Sequence, residues 1–467
     1  MSCPRVLVIG AGISGLSTAW WLARQGMDVE IWEADSRPGG KIRSRHENGY
    51  LTEDAAALLV NFRPEVDHLV AGAGLASSRL LRNDGLKRYV LHRGKLRPVP
   101  MFLPALLASS LWTPRGKLRL MAEAFIPRGG HEGESVTDFI IRRLGREVLD
   151  TTMDAFVSGT LASDPDLAEA RSVLPRLTTL EDRYGSLAMG MFVNRVLKRR
   201  RANKADTFSF RGGMSQLVES LAHTPGLDIR YRTSALAVHR MGDAWQVLGD
   251  GPQGTVECHT PHLVLSIPAP ACAALLHPLD NELGQLLGGI EYAPVAVLHL
   301  GLSRRQIGHP LDGSGFLSGS RAGLAVNGNL WMSQIFPQRA PAGKVLLTSY
   351  LGGVRHPGHL DQDDDKLVEE SLHSLAPLLN IHGAPEQVSI RRHFRGLPLY
   401  HGHYRARLAQ VRRQLQYLPG LHINGNFMEG ISVRERIFQG ERLARIISKS
   451  LPQGSTHPRK PPLPQTA

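Results

Sequence analysis

Arg5-Val-Leu-Val-Ile-Gly-Ala-Gly-Ile-Ser-Gly15 is an apolar run that breaks into three glycines within six residues. Val6–Ile9 has the unbroken apolarity of a strand covered on both faces. Beyond the glycines, Ile13, Leu16, Ala19, Trp20 and Ala23 recur at helical spacing, and a second β-like run, Met27–Trp32, ends on Glu33. This order predicts strand, tight turn, helix and strand, the unit that binds dinucleotides. Gly10 permits the turn, Gly12 lets a diphosphate approach the backbone, and Gly15 lets helix and strand pack closely. The helix N-terminus, with Ile13 and Ser14, offers free N–H groups and the positive end of a dipole. Glu33, eighteen residues after Gly15, can accept both hydroxyls of an adenosine ribose. An acid there disfavours a 2′-phosphate, which argues against NADP.

Glu33-Ala34 leads into Arg37-Pro38-Gly39-Gly40-Lys41-Ile42, a glycine pair flanked by cations. Such a loop can fold over a diphosphate from the opposite side, with Arg37 and Lys41 as counter-charges. Taken alone it reads equally well as an exposed basic turn. Directly behind the dinucleotide unit, however, Glu-Ala-x-x-Arg-x-Gly-Gly-Lys resembles the flavoprotein superfamily of amine oxidases, polyene desaturases and protoporphyrinogen oxidases. That resemblance implies permanently bound FAD rather than NAD as a diffusing co-substrate.

The chain has 467 residues, too many for one ordinary core, and two or three lobes are expected. With 42% hydrophobic and 21% charged residues it has the make-up of a soluble globular protein. With the first strand so close to Met1, no signal peptide is expected, and no run is apolar for long enough to span a bilayer. Cys3, Cys258 and Cys272 have no metal-ligand spacing, and their odd number argues against a disulfide framework. A reduced, cytoplasmic setting is expected. The net charge of +13 is spread along the chain, with clusters at Lys198–Arg201 and Arg459-Lys460. No nucleic-acid motif accompanies them, so no nucleic-acid partner is expected. An anionic membrane surface, a polycarboxylate substrate or plain solvation would each account for the charge. The tail after Leu451, rich in Pro, Ser, Thr and Gln, is expected to be disordered.

Further along, Leu111–Phe125 and Ser135–Phe156 carry helical periodicity, with a break at Leu144-Gly145. Residues 101–112 are apolar and are followed by Arg115, Lys117 and Arg119, a composition suited to a membrane interface or to covering an internal pocket. From residue 207 strands return: Phe208–Phe210, Leu227–Tyr231, Ala244–Leu248 and Thr255–Cys258. The run from His262 to Pro268 reads as a return to the first sheet, stopped by proline. Residues 290–302 and 343–351 suggest a second sheet, and a helix is expected from Arg434 to about Ser448. The nucleotide domain is thus discontinuous.

Later blocks sharpen the resemblance. Glu134-Ser-Val-x-Asp138-Phe139, Arg142-Arg-Leu-Gly145, Tyr184-Gly-Ser-Leu187 and Phe210-Arg-Gly-Gly213 are similar to the oxygen-dependent protoporphyrinogen oxidases. So are Gly352-Gly353, Leu397-Pro-x-Tyr400-x-x-His403 and Gly425-Asn-x-x-x-Gly430-Ile-x-Val433. The resemblance spans most of residues 5–447, in order. It implies an α/β fold: a Rossmann-like FAD domain (1–80, 206–270 and 410–450), an α+β substrate domain (81–87, 158–205 and 271–409) and a helical, membrane-associating lobe (88–157). The implied activity is oxidation of a porphyrinogen, protoporphyrinogen IX or coproporphyrinogen III, with O2 as acceptor. Peripheral contact with the inner face of a membrane and a homodimer are also compatible with it. The resemblance puts Arg88 where a carboxylate of the substrate is paired and Phe316 and Leu317 where the ring is touched. Ala34, Ala235, Asn426, Ile431, Ser432 and Val433 join the glycines around the cofactor. No metal is expected, because His401 and His403 have no third ligand near them.

There are departures. Glu53-Asp-Ala-Ala56 stands where the family shows Glu-x-Gly-Pro, Ala162-Ser-Asp164 replaces Ala-Gly-Asp, Asn424-Gly-Asn426 replaces Ala-Gly-Asn, and Glu435-Arg436-Ile437 replaces Asp-Cys-Ile. They leave room for a paralogue oxidising a pyrrolic, amine or polyene intermediate, and for a non-catalytic tetrapyrrole carrier.

Overall fold

The computed structural model describes residues 5–100, 103–196 and 206–450. Cys3, Met101, Phe102, the Lys198–Arg201 cluster and the tail from residue 451 lie outside them. Val6–Ile9 is the middle strand of a five-stranded parallel sheet, in the order Leu227–Tyr231, Val29–Glu33, Val6–Ile9, His262–Leu265 and Leu421–Ile423. Its alternate residues enter two cores. Val6 and Val8 pack with helices Ile13–Ala23 and Val433–Ser450, whereas Leu7 and Ile9 pack with helices Ala269–Leu276, Asn281–Gly288 and Tyr404–Gln416. A strand covered on both faces reads as continuous apolarity, which is why this one stands out in the sequence. Gly440 brings the C-terminal helix against the first helix: a Cβ there would lie 2.2 Å from Ser17 Oγ.

The second core thus joins residues 269–288 and 400–411 to the dinucleotide sheet, so the expected boundaries at 270 and 410 fall inside one packed unit. A seven-stranded sheet forms the other half of the molecule. Its order is Gln387–Pro398, Tyr292–Ser303, Lys344–Gly352, Val326–Trp331, Gly313–Ser318, Lys87–His92 and Lys95–Pro98. Helix Asp364–Leu379 covers one face through Leu367, Leu375 and Leu379. Residues 88–98, expected in the helical lobe, are therefore sheet, and it is residues between 103 and 196 that are helical. These helices share a core built on Trp112, Val136, Phe139, Ile140 and Leu187. The expected break at Leu144-Gly145 is present, with Gly145 at φ +94°.

Candidate FAD and substrate cavity

One cavity of about 850 Å³ runs from the glycine turn to the seven-stranded sheet. At its dinucleotide end Gly10 has φ +100°, and a Cβ there would lie 2.9 Å from Ser266 O. Gly12 is the N-cap of helix Ile13–Ala23, and no side chain caps that end. A Cβ on Gly12 would meet nothing within 4 Å, so the space in front of the orphan N–H groups is open. Gly15 does not line the cavity; a Cβ there would come within 1.9 Å of Gly10 O, so its lack of a side chain is what closes the turn.

Glu33 lines the cavity, buried. Its Oε2 accepts from the Ala11 N–H at 2.6 Å and its Oε1 from the Asp35 N–H at 2.8 Å, which fixes the carboxylate and leaves a lone pair on each oxygen. Gly39 pairs with Gly12 across the turn, and its N–H donates to Ala11 O at 2.7 Å. The Gly39-Gly40 loop thus lies beside the first turn, as its cations suggested. Those cations behave differently. Arg37 is spent on its own loop, donating to Pro38 O at 3.0 Å, Ile42 O at 3.2 Å and Gly40 O at 2.7 Å, and it does not line the cavity. Lys41 does, and its Nζ donates to the carbonyls of Arg395 and Gly396, tying the loop to the second sheet. Burial pushes its ammonium down to about 8.

Ile13, Ser14, Ala34, Ala235, Asn426, Ile431 and Val433 also line the cavity. Ser432 does not; its Oγ accepts from the Glu435 N–H at 3.3 Å, at the start of helix Val433–Ser450. At the far end Phe316 and Leu317 meet Ser158, Gly159 and Thr160 of helix Asp154–Leu161. Arg88 lies outside the lining and is exposed. Val90, two residues on, packs in the helical core together with Leu317, whereas Tyr89 packs on the opposite side of the sheet. Alternation puts Arg88 on the face it shares with Val90, toward the sheet's outer end. Its neighbour is a second cation, Arg82.

Several lining residues carried no signal in the sequence. Tyr350 faces the cavity, its hydroxyl makes no hydrogen bond among the described residues, and burial pushes its phenol up to about 12. His393 lines it too, and its Nε2–H donates to Asp54 O at 2.6 Å. Ala55 and Ala56, at the departure from Glu-x-Gly-Pro, form part of the wall. Glu53 behind them is buried: its carboxylate accepts from Ser44 Oγ at 2.7 Å and the Met214 N–H at 3.0 Å, and lies 3.5 Å from Arg339. Arg436 completes the lining beside Gly425 and Asn426. Among the described residues no three His, Cys, Asp or Glu side chains come together as a metal site. His401 is instead bonded to Ser163 Oγ at 2.9 Å.

An uncapped helix start behind a glycine turn, a fixed acid at the second strand and an open groove between them suit FAD. The model of the flavin-containing amine oxidoreductases matches residues 13–444. The chain belongs to that family. It is 29% identical to protoporphyrinogen oxidase 2, chloroplastic/mitochondrial, of Arabidopsis thaliana, over 99% of this chain and 97% of that protein. It is 28% identical to coproporphyrinogen III oxidase of Staphylococcus aureus, over 96% of this chain and 99% of that one. A solved structure from Exiguobacterium sp., provisionally named a protoporphyrinogen oxidase, superposes with a TM-score of 0.80 at 22% identity, covering 97% of this chain and 100% of that one. This flavin-containing amine oxidoreductase is accordingly an FAD-dependent oxidoreductase with a mixed α/β fold.

Proposed function

We propose that this oxidoreductase converts a porphyrinogen, protoporphyrinogen IX or coproporphyrinogen III, to the porphyrin, with O2 as acceptor. One observation carries the reading: the cavity does not end at the dinucleotide groove but continues into an apolar slot between helix Asp154–Leu161 and the seven-stranded sheet. The slot offers Phe316, Leu317, Val295 and Val297 to a flat ring, with Tyr350 as a hydroxyl free to bond it. The relatives named above take tetrapyrroles by name. FAD, when bound, supplies the acceptor for each hydride and is reoxidised by O2. The protein orients the macrocycle, keeps the slot dry and presents the N-terminal end of helix Val433–Ser450 where negative charge would collect. Six electrons leave the ring as three hydrides from meso carbons, balanced by three protons, two from pyrrole nitrogens and one from the fourth meso carbon, and three O2 become three H2O2. Arg88, with Arg82 beside it, is proposed to meet a substrate carboxylate at the outer end of the sheet.

One observation favours a second reading, a substrate without carboxylates. Arg88 stands outside the lining, where Lys41 and Arg436 supply the cations. Anaerobic mixing separates the two. Coproporphyrinogen III or protoporphyrinogen IX is expected to bleach the flavin spectrum while simple amines leave it unchanged, and bleaching by amines alone sinks the first reading.

A patch of side chains supports a location. Leu118 and Met121 of helix Pro114–Met121, Phe125 at 87% exposure, and Met189 and Phe192 of helix Leu187–Val196 stand out of the helical core. These segments adjoin, with Arg115 and Lys117 on the first of them. Among the described residues no helix is long and apolar enough to cross a membrane. We propose that the patch lies on the cytoplasmic face of a membrane, apolar side chains down and cations at the headgroups. Phe125→Asp is expected to abolish co-sedimentation with anionic phospholipid vesicles, and undiminished binding refutes the placement.

A further inference from the structure

Among the described residues three arginines are wholly buried: Arg143, Arg339 and Arg436. Arg143 pairs with Glu123 and Glu181, and Arg339 lies 3.5 Å from Glu53. Arg436 has no ion pair among the described residues. Its Nη1 donates to Asn424 Oδ1 at 3.3 Å and to Gly425 O, while Nε and Nη2 are buried without a partner. The acids nearby are engaged elsewhere, Glu435 with Arg63 and Arg434, and Glu429 with Arg412 and Arg442. Arg436 also sits in the first turn of helix Val433–Ser450, where the dipole makes a cation unfavourable. A buried, unpaired guanidinium is costly, and proteins keep one where something absent from the chain completes it.

Its surroundings name that partner. Arg436 reaches the cavity wall beside Gly425 and Asn426. Asn424, which it bonds, donates through Nδ2 to Thr18 Oγ1 at 2.8 Å and to Ser14 O at 3.5 Å. Ser17 Oγ donates to Arg436 O at 3.2 Å. The guanidinium is therefore anchored beneath the first turn of helix Ile13–Ala23, the uncapped end in front of which Gly12 leaves open space. We propose that Arg436 is the built-in counter-charge to the diphosphate of FAD, doing from behind the Asn424-Gly425-Asn426 wall what Arg37 was expected to do from the loop. This rests on FAD being the occupant and not on the identity of the substrate.

The test uses flavin-stripped full-length protein and needs no turnover, so it fails independently of the porphyrinogen reading. Calorimetric titration with FAD, ADP and adenosine compares wild type, Arg436→Met and Arg436→Lys. Arg436→Met is expected to weaken FAD and ADP by about 10- to 100-fold and to leave adenosine, which lacks the diphosphate, unchanged. Arg436→Lys, which keeps the charge, is expected to stay within a few-fold of wild type for ADP. Stripped Arg436→Met is expected to melt no lower than stripped wild type, because it removes a buried charge that has no ionic partner until FAD binds. Equal losses for ADP and adenosine would make the role merely structural and overturn the proposal. So would unchanged ADP affinity with weakened FAD, which would place the charge under the flavin ring. Should Arg436→Met not fold, the lysine variant decides: retained ADP affinity supports the counter-charge and lost affinity overturns it.

Discussion

His299 holds no proton to spare. It lies in strand Tyr292–Ser303, wholly buried, with Nε2–H donating to Glu53 O at 3.1 Å and Nδ1 accepting from Thr348 Oγ1 at 2.9 Å. Both ring nitrogens are satisfied by the neutral form, and burial pushes the imidazole down to about 4. In the unfolded chain it titrates near its ordinary value, so between about pH 6.5 and pH 4 the unfolded state takes up a proton that the folded state refuses. The sign is fixed: its contribution is complete above about pH 6.5 and is lost on acidification toward pH 4, about 3 kcal/mol in all. His422, half-buried and stacked on His262, is held near 4 by the same cause and adds to the effect. Thermal melts of wild type should fall steeply across this window. His299→Gln, whatever it costs at neutral pH, should fall less steeply between pH 6.5 and 4. Parallel curves for the two proteins would show that His299 takes up its proton in the fold.

Glu123 shows how one side chain can hold two helical elements together. Its carboxylate accepts from the Leu187 and Ala188 N–H groups, both at 2.9 Å, and from Ser186 Oγ at 2.8 Å, closing the start of helix Leu187–Val196. It also takes the buried guanidinium of Arg143 from helix Val136–Arg143. Burial works to raise this carboxyl, but the two amides, the hydroxyl and the arginine outweigh it and hold the group below its ordinary range. Glu123→Ala would uncap the helix and leave Arg143 with Glu181 alone, 3.6 Å away. Breaking a buried pair costs about 3–5 kcal/mol, so a denaturation midpoint close to wild type would refute the account.

What the sequence made legible at this level follows from burial. Val6–Ile9 and His262–Leu265 could be read from their apolar runs, Leu227–Tyr231 from its alternation of apolar and charged residues, and Gly10 and Gly15 from the turn they must close. Strand Gln387–Pro398 could not. It is an edge strand whose Arg391, Arg392 and His393 find partners in Asp54, Asp364 and the Asp54 carbonyl, so polar residues interrupt the alternation. The places of Arg37 and Arg436 were not legible for one reason: a long cation shows its charge in the sequence but not where its guanidinium ends. Only the fold reveals that the first bonds its own loop and that the second is buried beneath the cofactor groove.

The cavity belongs to no single part of the molecule. The glycine turn, the Ala55–Leu58 segment, helix Asp154–Leu161, the seven-stranded sheet and the start of helix Val433–Ser450 each supply a wall, and the chain crosses between the two large sheets several times to do so. The elements meeting there pack in different cores, so a molecule filling the groove adds its contacts to the bonds that already join the halves, such as Lys41 to Arg395 and Gly396, His299 to Glu53 and Arg391 to Asp54. FAD should therefore act as a staple. A ligand that binds only the folded state stabilises it by about 2.7 kcal/mol at a hundredfold excess over its dissociation constant, and each further tenfold adds about 1.4 kcal/mol. Stripped protein should unfold at a lower temperature than the flavin-loaded form, and its midpoint should climb with the logarithm of added FAD. Protease should cut the stripped form at the junctions between the cores, and FAD should suppress those cuts. A midpoint and a cleavage pattern indifferent to FAD would mean that the walls are held without it, and that the groove does not join the two halves.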